Sequence, residues 1–511
     1  MNVLLFRPAN WHGEVADRRR GKVNFLPLGL MAIAAPLEKA GVRVRIIDQC
    51  EDADWKELLL GYLKEKPVCV GITVKTGQQI SYSLSVSRLI KDNYPDIPIV
   101  WGGVHPTILP EQTVAHPDVD IVVEGDGEET FFELVAALKE KKGLENIKGI
   151  CYKDNGMIKR NSPRLPSDLV SQPALPYHLV DVKKYVNKLW GRPALNTFSS
   201  RGCSHRCRYC YLSSYRGKYR ALSAACVLQN AADLKERFAI RGIGFVDDNF
   251  FADRKRGMEI LRGLKEMGLL WHNINVPLDA LSLLGEEFLQ LHRGADWTSI
   301  HVGIESGSQR VLDFLNKGIS ISQLAEINKK LSRYKIACFY NFIVGTPTET
   351  EEDLRETISV ILQLVHDNPN AEPRVYTFLP YPGTELYDFC VKSGHFKPPD
   401  RLEDWVTLTN LTIDKRDWLT ERKKRILEML SFCTPALTKK ILERELSYVY
   451  PTALVSLAMG VVRAYRPVAK MRIKHMYHGF LIEKHFAKLF GHSRKLPYRL
   501  KHKPDLAKEF T

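Results

Sequence analysis

The sequence predicts an α/β fold in three parts: a doubly wound N-terminal domain, a central partial (β/α)6 barrel and a C-terminal helical region. Two long stretches in which short apolar runs alternate with amphipathic helical patterns predict the first two parts. After residue 400 the pattern becomes helical and basic, which predicts the third. We expect an N-terminal domain over 1–145, a linker over 146–192, a barrel over 193–400 and the helical region over 401–511.

Strand and helix patterns alternate through the first 140 residues, with short connections. The expected strands are NVLLF (2–6), VRVRIID (42–48), VCVGITV (68–74), IPIVWGG (97–103) and IVVEG (121–125). The expected helices are 28–41, 55–66, 81–94 and 128–141. This alternation builds a parallel sheet with helices on both faces, and such sheets bind ligands outside the carboxyl ends of their strands.

The linker and the barrel follow. ICYKDNGMIKRN predicts a hairpin that turns at Asn155-Gly156, and the Pro-rich stretch 163–176 is typical of a connector. From about 194 to 385 six further candidate strands alternate with helices: LNTFSS, IGFVDDNF, HNINVPL, SIHVGIES, ACFYNFIVG and RVYTFLP. Six βα units are enough for a partial TIM-type barrel.

Composition excludes some classes of protein and leaves others open. The 511 residues are 44% hydrophobic and 26% charged, which excludes wholesale disorder and a polytopic membrane protein. The start of the chain lacks a signal-peptide pattern, and no apolar run reaches about 18 residues. We therefore expect a cytoplasmic protein with reduced thiols.

Most of the net charge of +15 lies near the C-terminus. Residues 401–511 carry 23 Lys and Arg against 11 Asp and Glu, and residues 451–511 carry 13 against 3. One interpretation is peripheral contact with an anionic membrane through basic amphipathic helices, and Leu457, Val461, Phe480, Leu481, Phe486 and Phe490 are interleaved with the charge. The alternative is a helical cap with a solvated basic face. No aromatic-interleaved basic platform supports nucleic-acid binding, so no nucleic-acid partner is expected.

Three of the ten cysteines lie within eight residues. Cys203, Cys207 and Cys210 are spaced C-x3-C-x2-C on a loop that directly follows LNTFSS. Three thiolates on one loop can hold three irons of a [4Fe–4S] cluster and leave the fourth iron open. Zinc is the competing metal, although a fourth ligand arm is missing, and three buried thiols without a metal are the remaining alternative.

This spacing resembles the hallmark of the radical S-adenosylmethionine (SAM) enzymes. That family commonly carries an aromatic residue before the third cysteine, and Tyr209 has that position here. Four later segments resemble this family in order: GFVDDNFFAD (244–253), HVGIESGSQRVLDFLNKG (301–318), NFIVGTPTETEEDL (341–354) and FLPYPGTELY (378–387). The resemblance implies that Asp248 and Asn249 lie near the SAM amine, that Glu305 accepts from the ribose hydroxyls, and that the turn at Gly345 backs the adenine. Together with Tyr209, these are the expected SAM-binding residues.

The N-terminal domain resembles the Rossmann-like cobalamin-binding domain that precedes the barrel in one subclass of these enzymes. The matching stretches are PLGLMAIAAPLEKAG (27–41), VGITVKTGQQI (70–80), GGVHPT (102–107) and EGDGEETF (124–131). The expected cobalamin-binding residues are Thr73, Lys75, Thr76, Gly77, Gly102, Gly103, His105, Glu124, Gly125 and Gly127. The D-x-H-x-x-G motif that supplies histidine to cobalt in better-known proteins is absent, so His105 is either a cobalt ligand or a hydrogen-bonding loop residue. A structural domain without cobalamin is the alternative.

The resemblance implies a radical SAM enzyme. Its cluster would cleave SAM to a 5′-deoxyadenosyl radical, and methylcobalamin would methylate an unactivated carbon of a lipid, tetrapyrrole or natural-product substrate. A flavodoxin or ferredoxin would supply the electron. A radical cyclase or carbon–carbon coupling enzyme is the runner-up, and a non-catalytic corrinoid or cluster carrier is a third class. The methylthiotransferase branch is disfavoured because only Cys50 and Cys69 precede residue 150.

Overall fold

The computed structural model describes residues 1–9, 25–189, 192–215, 218–293, 299–408, 416–438, 443 and 452–479. The predicted α/β architecture is confirmed, with a Rossmann-like sheet domain, a partial barrel and C-terminal helices. Phe480, Leu481, Phe486 and Phe490, which the membrane interpretation uses, lie outside the described residues.

The N-terminal domain is a seven-stranded sheet between helices. Its strands are β1 (Asn2–Arg7), β2 (Arg43–Asp48), β3 (Val70–Thr73), β4 (Ile99–Gly102), β5 (Ile121–Val123), β6 (Ile150–Asp154) and β7 (Met157–Arg160). Its helices are α1 (Leu28–Lys39), α2 (Trp55–Leu63), α3 (Gln79–Asn93), α4 (Val104–Ile108), α5 (Pro110–Ala115) and α6 (Glu128–Glu140). The strand order is β2-β1-β3-β4-β5-β6-β7, and the first five strands are parallel. Nearly continuous burial of β1 and β3 suits strands that are covered on both faces.

The predicted hairpin forms the far edge of this sheet. Asn155 and Gly156 both have positive φ, 50° and 79°, as a two-residue hairpin turn with right-handed twist requires. β6 pairs antiparallel with β5, so the sheet continues to Arg160, beyond the expected domain boundary at 145. The boundaries themselves remain a prediction.

The barrel contributes ten strands and nine helices to the described residues. The strands are β8 (Asn187–Leu189), β9 (Arg192–Thr197), β10 (Ser200–Arg201), β11 (Arg220–Ala221), β12 (Gly242–Phe245), β13 (Leu270–His272), β14 (Ile274–Asn275), β15 (Ser299–Glu305), β16 (Ala337–Val344) and β17 (Ala371–Thr377). The helices are α7 (Tyr211–Tyr215), α8 (Ala224–Phe238), α9 (Arg254–Glu266), α10 (Leu278–Leu283), α11 (Glu286–His292), α12 (Gln309–Phe314), α13 (Ser322–Arg333), α14 (Glu351–Asp367) and α15 (Glu385–Lys392).

Six parallel strand positions form the barrel wall. The order is β9, β12, β13 with β14, β15, β16 and β17, and β8 pairs antiparallel with β9 at one edge. Asn273, with φ of 58°, breaks the third position into β13 and β14. The buried side chains of β15 and β16, among them Val302 and Tyr340, belong to one large core with those of the outer helices.

The C-terminal region is helical where the structure describes it. A 3-10 helix (Leu402–Thr407) precedes α16 (Glu421–Cys433), and α17 spans Thr452–Lys474. Among the described residues, no helix is both long and apolar enough to cross a bilayer.

The carboxyl ends of the N-terminal sheet face the carboxyl ends of the barrel strands. After β3, Thr76 lies beside the hydroxyl of Tyr381, which follows β17. A side chain on Gly383 would collide with Ile108 of the N-terminal domain, at 2.7 Å. Ligand-binding edges in both kinds of sheet lie at the carboxyl ends of the strands. The two predicted cofactor edges therefore lie against each other.

Candidate active site

The cysteine loop begins at a glycine that no other residue could replace without strain. Gly202 has φ of 84°, and a Cβ there would lie 2.6 Å from the carbonyl oxygen of Lys218. Asp248 fixes this turn, because its Oδ2 accepts from the Gly202 amide at 2.9 Å. Gly202 and Asp248 together fix the direction in which the cysteine loop leaves β10.

The three thiols suit a cluster more than a single ion. Burial raises the pKa of the Cys207 thiol and raises the pKa of Cys210 to about 11. A cluster binds them as thiolates and so releases their protons on assembly. Among the described residues, no three His, Cys, Asp or Glu side chains could hold one metal ion, as zinc would require. Cluster cysteines each bind a separate iron, so this donor set fits a [4Fe–4S] cluster.

Asn249 carries an acceptor that faces the cysteine loop without a partner. Its Nδ2 lies 3.5 Å from the Cys203 sulfur, and its Oδ1 is buried with no hydrogen-bond partner among the described residues. Leaving a buried acceptor unsatisfied is costly, so such an atom suits an external donor. An ammonium group beside the cluster would satisfy it. The predicted SAM amine site therefore fits Asn249, whereas Asp248 is engaged by the Gly202 amide.

Asp247, which the sequence analysis missed, anchors the strand before the cysteine loop. This carboxylate is 2% exposed and accepts from the Ser199 amide at 2.7 Å, the Ser199 hydroxyl at 2.6 Å and the Ser200 hydroxyl at 2.5 Å. Arg256 donates to the Ser199 carbonyl at 2.7 Å. The adjacent acidic pair at 247–248 in the sequence was the available signal. One member holds the strand and the other holds the loop.

Glu305 lies in a strained backbone conformation at the end of β15. Its φ is 71°, and the register with β16 shifts between Gly303 and Glu305. Its Oε1 accepts from the Tyr209 hydroxyl at 2.9 Å and from the Lys317 ammonium at 3.0 Å. A Cβ on Gly303 would lie 2.3 Å from that same oxygen. Strain of this kind in a non-glycine residue concentrates at functional sites.

Lys317 is the partner that the sequence analysis did not identify. Its ammonium is 14% exposed at the side chain and also lies 3.2 Å from the Tyr209 hydroxyl. Burial lowers the pKa of Lys317, but Glu305, Cys207 and Cys210 together outweigh burial, so the net pKa is raised. The group joins the cysteine loop to β15, since Tyr209 lies between two of the cysteines.

Gly345 occupies a turn that the C-terminal region covers. Its φ is 79°, its amide donates to Glu349 Oε2 at 2.8 Å, and its carbonyl accepts from the Trp418 indole at 2.9 Å. Lys423 pairs with Glu349 at 2.9 Å. The turn predicted to back the adenine is therefore held on both sides.

On the N-terminal domain, glycines bring main chain to the predicted cobalamin edge. Gly77, Gly103 and Gly125 have φ of 109°, 99° and 82°. A Cβ on Gly103 would lie 2.9 Å from the Val74 carbonyl oxygen and 3.1 Å from Thr73 Oγ1. Gly125 donates its amide to Thr107 Oγ1 at 3.0 Å. An edge built from main chain and small side chains fits a large planar macrocycle.

His105 is buried at this edge, with one nitrogen unpartnered. Its Nδ1 lies 3.1 Å from Thr76 Oγ1, its ring packs edge-on against Trp405 at 5.7 Å, and Nε2 has no partner among the described residues. Burial lowers the pKa of His105 to about 4, so the ring is neutral. A neutral imidazole with a free nitrogen fits either a hydrogen bond to a bound group or ligation, so both interpretations of His105 stay open.

The remaining predicted cobalamin residues divide between the edge and the sheet. Thr73 ends β3, and Lys75 lies two residues later. Gly102 ends β4, and Gly127 caps the N-terminus of α6. Glu124 is paired elsewhere, because Arg160 donates to both of its oxygens at 2.9 and 2.7 Å. Its carboxylate therefore anchors the hairpin.

An ion-pair cluster joins the N-terminal domain to the cysteine hairpin. Asp126 accepts from Arg220 at 2.6 Å, and Glu128 pairs with Arg201 at 2.6 Å. Arg201 and Arg220 are register partners in the β10–β11 hairpin, which carries the cysteine loop. The predicted cobalamin loop at 124–127 is thus fixed directly to the element that positions the cysteines.

Comparison with known proteins agrees with this geometry. Residues 197–361 match the radical SAM superfamily and residues 20–135 match the B12 binding domain. An uncharacterized methyltransferase of Pyrococcus horikoshii is 32% identical over 77% of this chain and 84% of its own. An anaerobic magnesium-protoporphyrin IX monomethyl ester cyclase of Synechocystis is 24% identical over 81% of this chain and 86% of its own.

The fold also matches a solved structure along nearly the whole chain. The cobalamin-dependent SAM radical enzyme OxsB has a TM-score of 0.72 and 17% identity over 97% of this chain and 76% of its own. Family membership makes a [4Fe–4S] cluster, SAM and cobalamin the cofactors of this protein. The chain belongs to the radical SAM superfamily, in the group of enzymes that join a B12 binding domain to the radical SAM domain.

Proposed function

We propose that this enzyme methylates an unactivated carbon of a small-molecule substrate in a cobalamin-dependent radical reaction. The observation that carries the proposal is that the carboxyl ends of the N-terminal strands face the carboxyl ends of the barrel strands. Thr76 of the N-terminal domain contacts Tyr381 of the barrel at this place. When bound, the cluster and SAM supply a hydrogen-abstracting radical, and cobalamin supplies the methyl group. The similarity to a Pyrococcus horikoshii methyltransferase supports methyl transfer.

In this proposal, each residue of the chain has a stated role. Cys203, Cys207 and Cys210 hold the cluster, while Asn249 accepts from the SAM amine and Glu305 from the ribose. The glycines at 77, 103 and 125 admit the macrocycle to the sheet edge. An electron-transfer protein of the flavodoxin or ferredoxin type delivers the reducing electron. The substrate in this proposal is a lipid, a tetrapyrrole or a natural product.

Isotope transfer tests the proposal. The reconstituted enzyme is incubated with SAM that carries a deuterated methyl group, a reductant and cobalamin, and the corrinoid is analysed by mass spectrometry. We expect deuterated methylcobalamin together with 5′-deoxyadenosine. The similarity to a Synechocystis cyclase favours radical cyclisation as the second candidate function. Formation of 5′-deoxyadenosine with no methyl label on cobalamin would favour that candidate.

We further propose that α17 contacts an anionic membrane surface. Its exposed face carries an apolar row at helical spacing: Leu454, Leu457, Val461, Val468 and Met471. Residues 452–479 contain no Asp or Glu and five Lys or Arg, of which Arg472 is buried and the other four are at least partly exposed. Each basic residue near an anionic bilayer contributes about 1 kcal/mol, and this attraction fades at high salt.

Vesicle co-sedimentation of the intact chain tests this contact. We expect binding to vesicles that contain phosphatidylserine and loss of binding in Leu457→Glu/Val461→Glu. The matched control, Thr452→Glu/Ser456→Glu, places the same charge on the same helix away from the apolar row and should retain binding. Equal sedimentation of both variants would refute a role for the row.

A further inference from the structure

A cavity of about 270 Å³ lies between the carboxyl end of the barrel and the C-terminal region. Leu379 and Pro380, two and three residues after the end of β17, line it from the carboxyl end of the barrel. Leu408 lines it from the other side, and its carbonyl oxygen lies 3.4 Å from where a Cβ on Gly77 would be. The cavity is therefore adjacent to the loop after β3, which is part of the predicted cobalamin edge.

The same cavity is also close to the turn predicted to back the adenine. Arg416 and Asp417 line it, and the next residue, Trp418, donates its indole N–H to the Gly345 carbonyl at 2.9 Å. A larger cavity of about 350 Å³ lies instead on the outside of the barrel, around α11 and α13, away from both cofactor edges. Position therefore favours the smaller cavity as the place for a substrate.

Arg416 is the unusual residue of this cavity. It is 3% exposed, and neither Nη1 nor Nη2 has a hydrogen-bond partner among the described residues. Burial lowers the pKa of Arg416 to about 10, yet the guanidinium stays charged at neutral pH. A buried unpaired charge is unfavourable, and a guanidinium presents a donor fork that matches a carboxylate or a phosphate.

The other charged groups of the cavity leave room for an anion. Lys397 adds to the positive side, while Asp404 and Asp417 are negative. Neither aspartate is within ion-pair distance of Arg416 in the part of the chain that the structure describes. Phe396 and Pro399 contribute apolar surface. The lining thus combines one unsatisfied cation with apolar walls, as small-molecule sites do.

We propose that this cavity binds the substrate and that Arg416 pairs with an anionic group of it, a carboxylate or a phosphate. The assignment of the ligand as substrate rests on the proposed function, whereas the anion site itself does not. Arg416 would then determine specificity by orientation, since it holds the charged end of the substrate between the two cofactor edges.

Binding of small aromatic probes to the full-length reconstituted protein tests the proposal. The probes are benzoate, phenyl phosphate and the neutral analogue benzamide, measured by isothermal titration calorimetry. We expect at least one anion to bind at least tenfold more tightly than benzamide. Comparison of benzoate with phenyl phosphate then shows whether the site prefers a carboxylate or a phosphate. In Arg416→Gln this preference should fall to near unity. The matched control is Arg422→Gln on α16, which removes a surface arginine paired with Glu351 and should keep the preference.

The stability of the variant without ligand is a second, independent readout. Because neither Nη1 nor Nη2 of Arg416 has a hydrogen-bond partner among the described residues, we expect Arg416→Gln to melt at the wild-type temperature or above it. A clear fall in melting temperature, or equal binding of anions and benzamide by the wild type, would overturn the proposal. SAM cleavage by the wild type is measured separately. Anion preference without SAM cleavage would refute the proposed function but support the anion site. SAM cleavage without anion preference would refute the anion site but leave the proposed function standing.

Discussion

Removal of the Glu305 charge should affect stability and SAM binding by different routes, which a second substitution can separate. The Glu305 and Lys317 side chains are only 8% and 14% exposed, and they are 3.0 Å apart. Removing one partner of a buried pair leaves the other charge uncompensated and costs about 3–5 kcal/mol. Since this pair keeps some solvent contact, we expect Glu305→Gln to lower the free energy of unfolding by about 3 kcal/mol.

The second substitution should restore stability without restoring SAM binding. Replacing a buried ion pair by uncharged groups of similar volume is often neutral, so Glu305→Gln/Lys317→Met should unfold near the wild-type urea concentration. The coupling energy of the cycle should then exceed about 2 kcal/mol. Hydrogen bonds to a charged group contribute about 1.5–3 kcal/mol, so SAM affinity should remain about 10- to 150-fold reduced in both variants.

Urea unfolding and equilibrium dialysis with SAM measure the two effects. The control cycle uses Glu326 and Lys330, an exposed pair on α13, whose coupling should stay below about 0.5 kcal/mol. If the double variant recovers wild-type SAM affinity, Glu305 serves only to neutralise Lys317. If the cycle shows no coupling energy, Glu305 and Lys317 do not form a buried ion pair.

Three further predictions concern the cluster, a buried tryptophan and acid stability. Replacing Cys203, Cys207 and Cys210 by Ala should abolish both the iron–sulfur absorption near about 400 nm and SAM cleavage, and a cluster that persists in this triple variant would show that the ligands are misassigned. Trp405→Ala should cost about 3–5 kcal/mol in urea unfolding, because the ring is 1% exposed in the N-terminal core, whereas Val468→Ala on the exposed face of α17 should cost less than about 0.5 kcal/mol. Burial lowers the pKa of His292 from 6.5 to about 4, so the unfolded chain binds this proton first and up to about 3 kcal/mol of stability should be lost as pH falls from 6.5 to 4. Burial lowers the pKa of His105 to about 4 as well, so His292→Gln should reduce the slope of the stability curve in this range without abolishing it, and an unchanged slope would contradict the assignment.

Local pattern predicted the architecture well because each element is encoded by its own residues. The apolar run of β3 and the Asn155-Gly156 turn show this, since burial on both faces and positive φ leave direct marks in the sequence. The cysteine triplet was equally visible because its ligands share one short loop.

Contacts between distant segments left no such mark. Lys317 lies 108 residues from Tyr209 and carries no motif that would distinguish it from a surface lysine. Arg416 is similar, because what sets it apart is its burial with two Nη atoms that have no hydrogen-bond partner among the described residues. Asp247 and Asp248 look equivalent in sequence, and only the fold decides that one holds a strand and the other a loop.

The enzyme should use SAM both to form 5′-deoxyadenosine and to methylate cobalamin at the facing sheet edge, and one experiment measures both reactions. The reconstituted enzyme, loaded with cobalamin and reduced, is incubated with methyl-deuterated SAM. Both 5′-deoxyadenosine and the corrinoid from the same sample are quantified by mass spectrometry. We expect both 5′-deoxyadenosine and a deuterated methyl group on cobalamin. A fully loaded enzyme that yields 5′-deoxyadenosine without labelled cobalamin would contradict methyl transfer, and one that yields neither product would contradict the SAM chemistry as well.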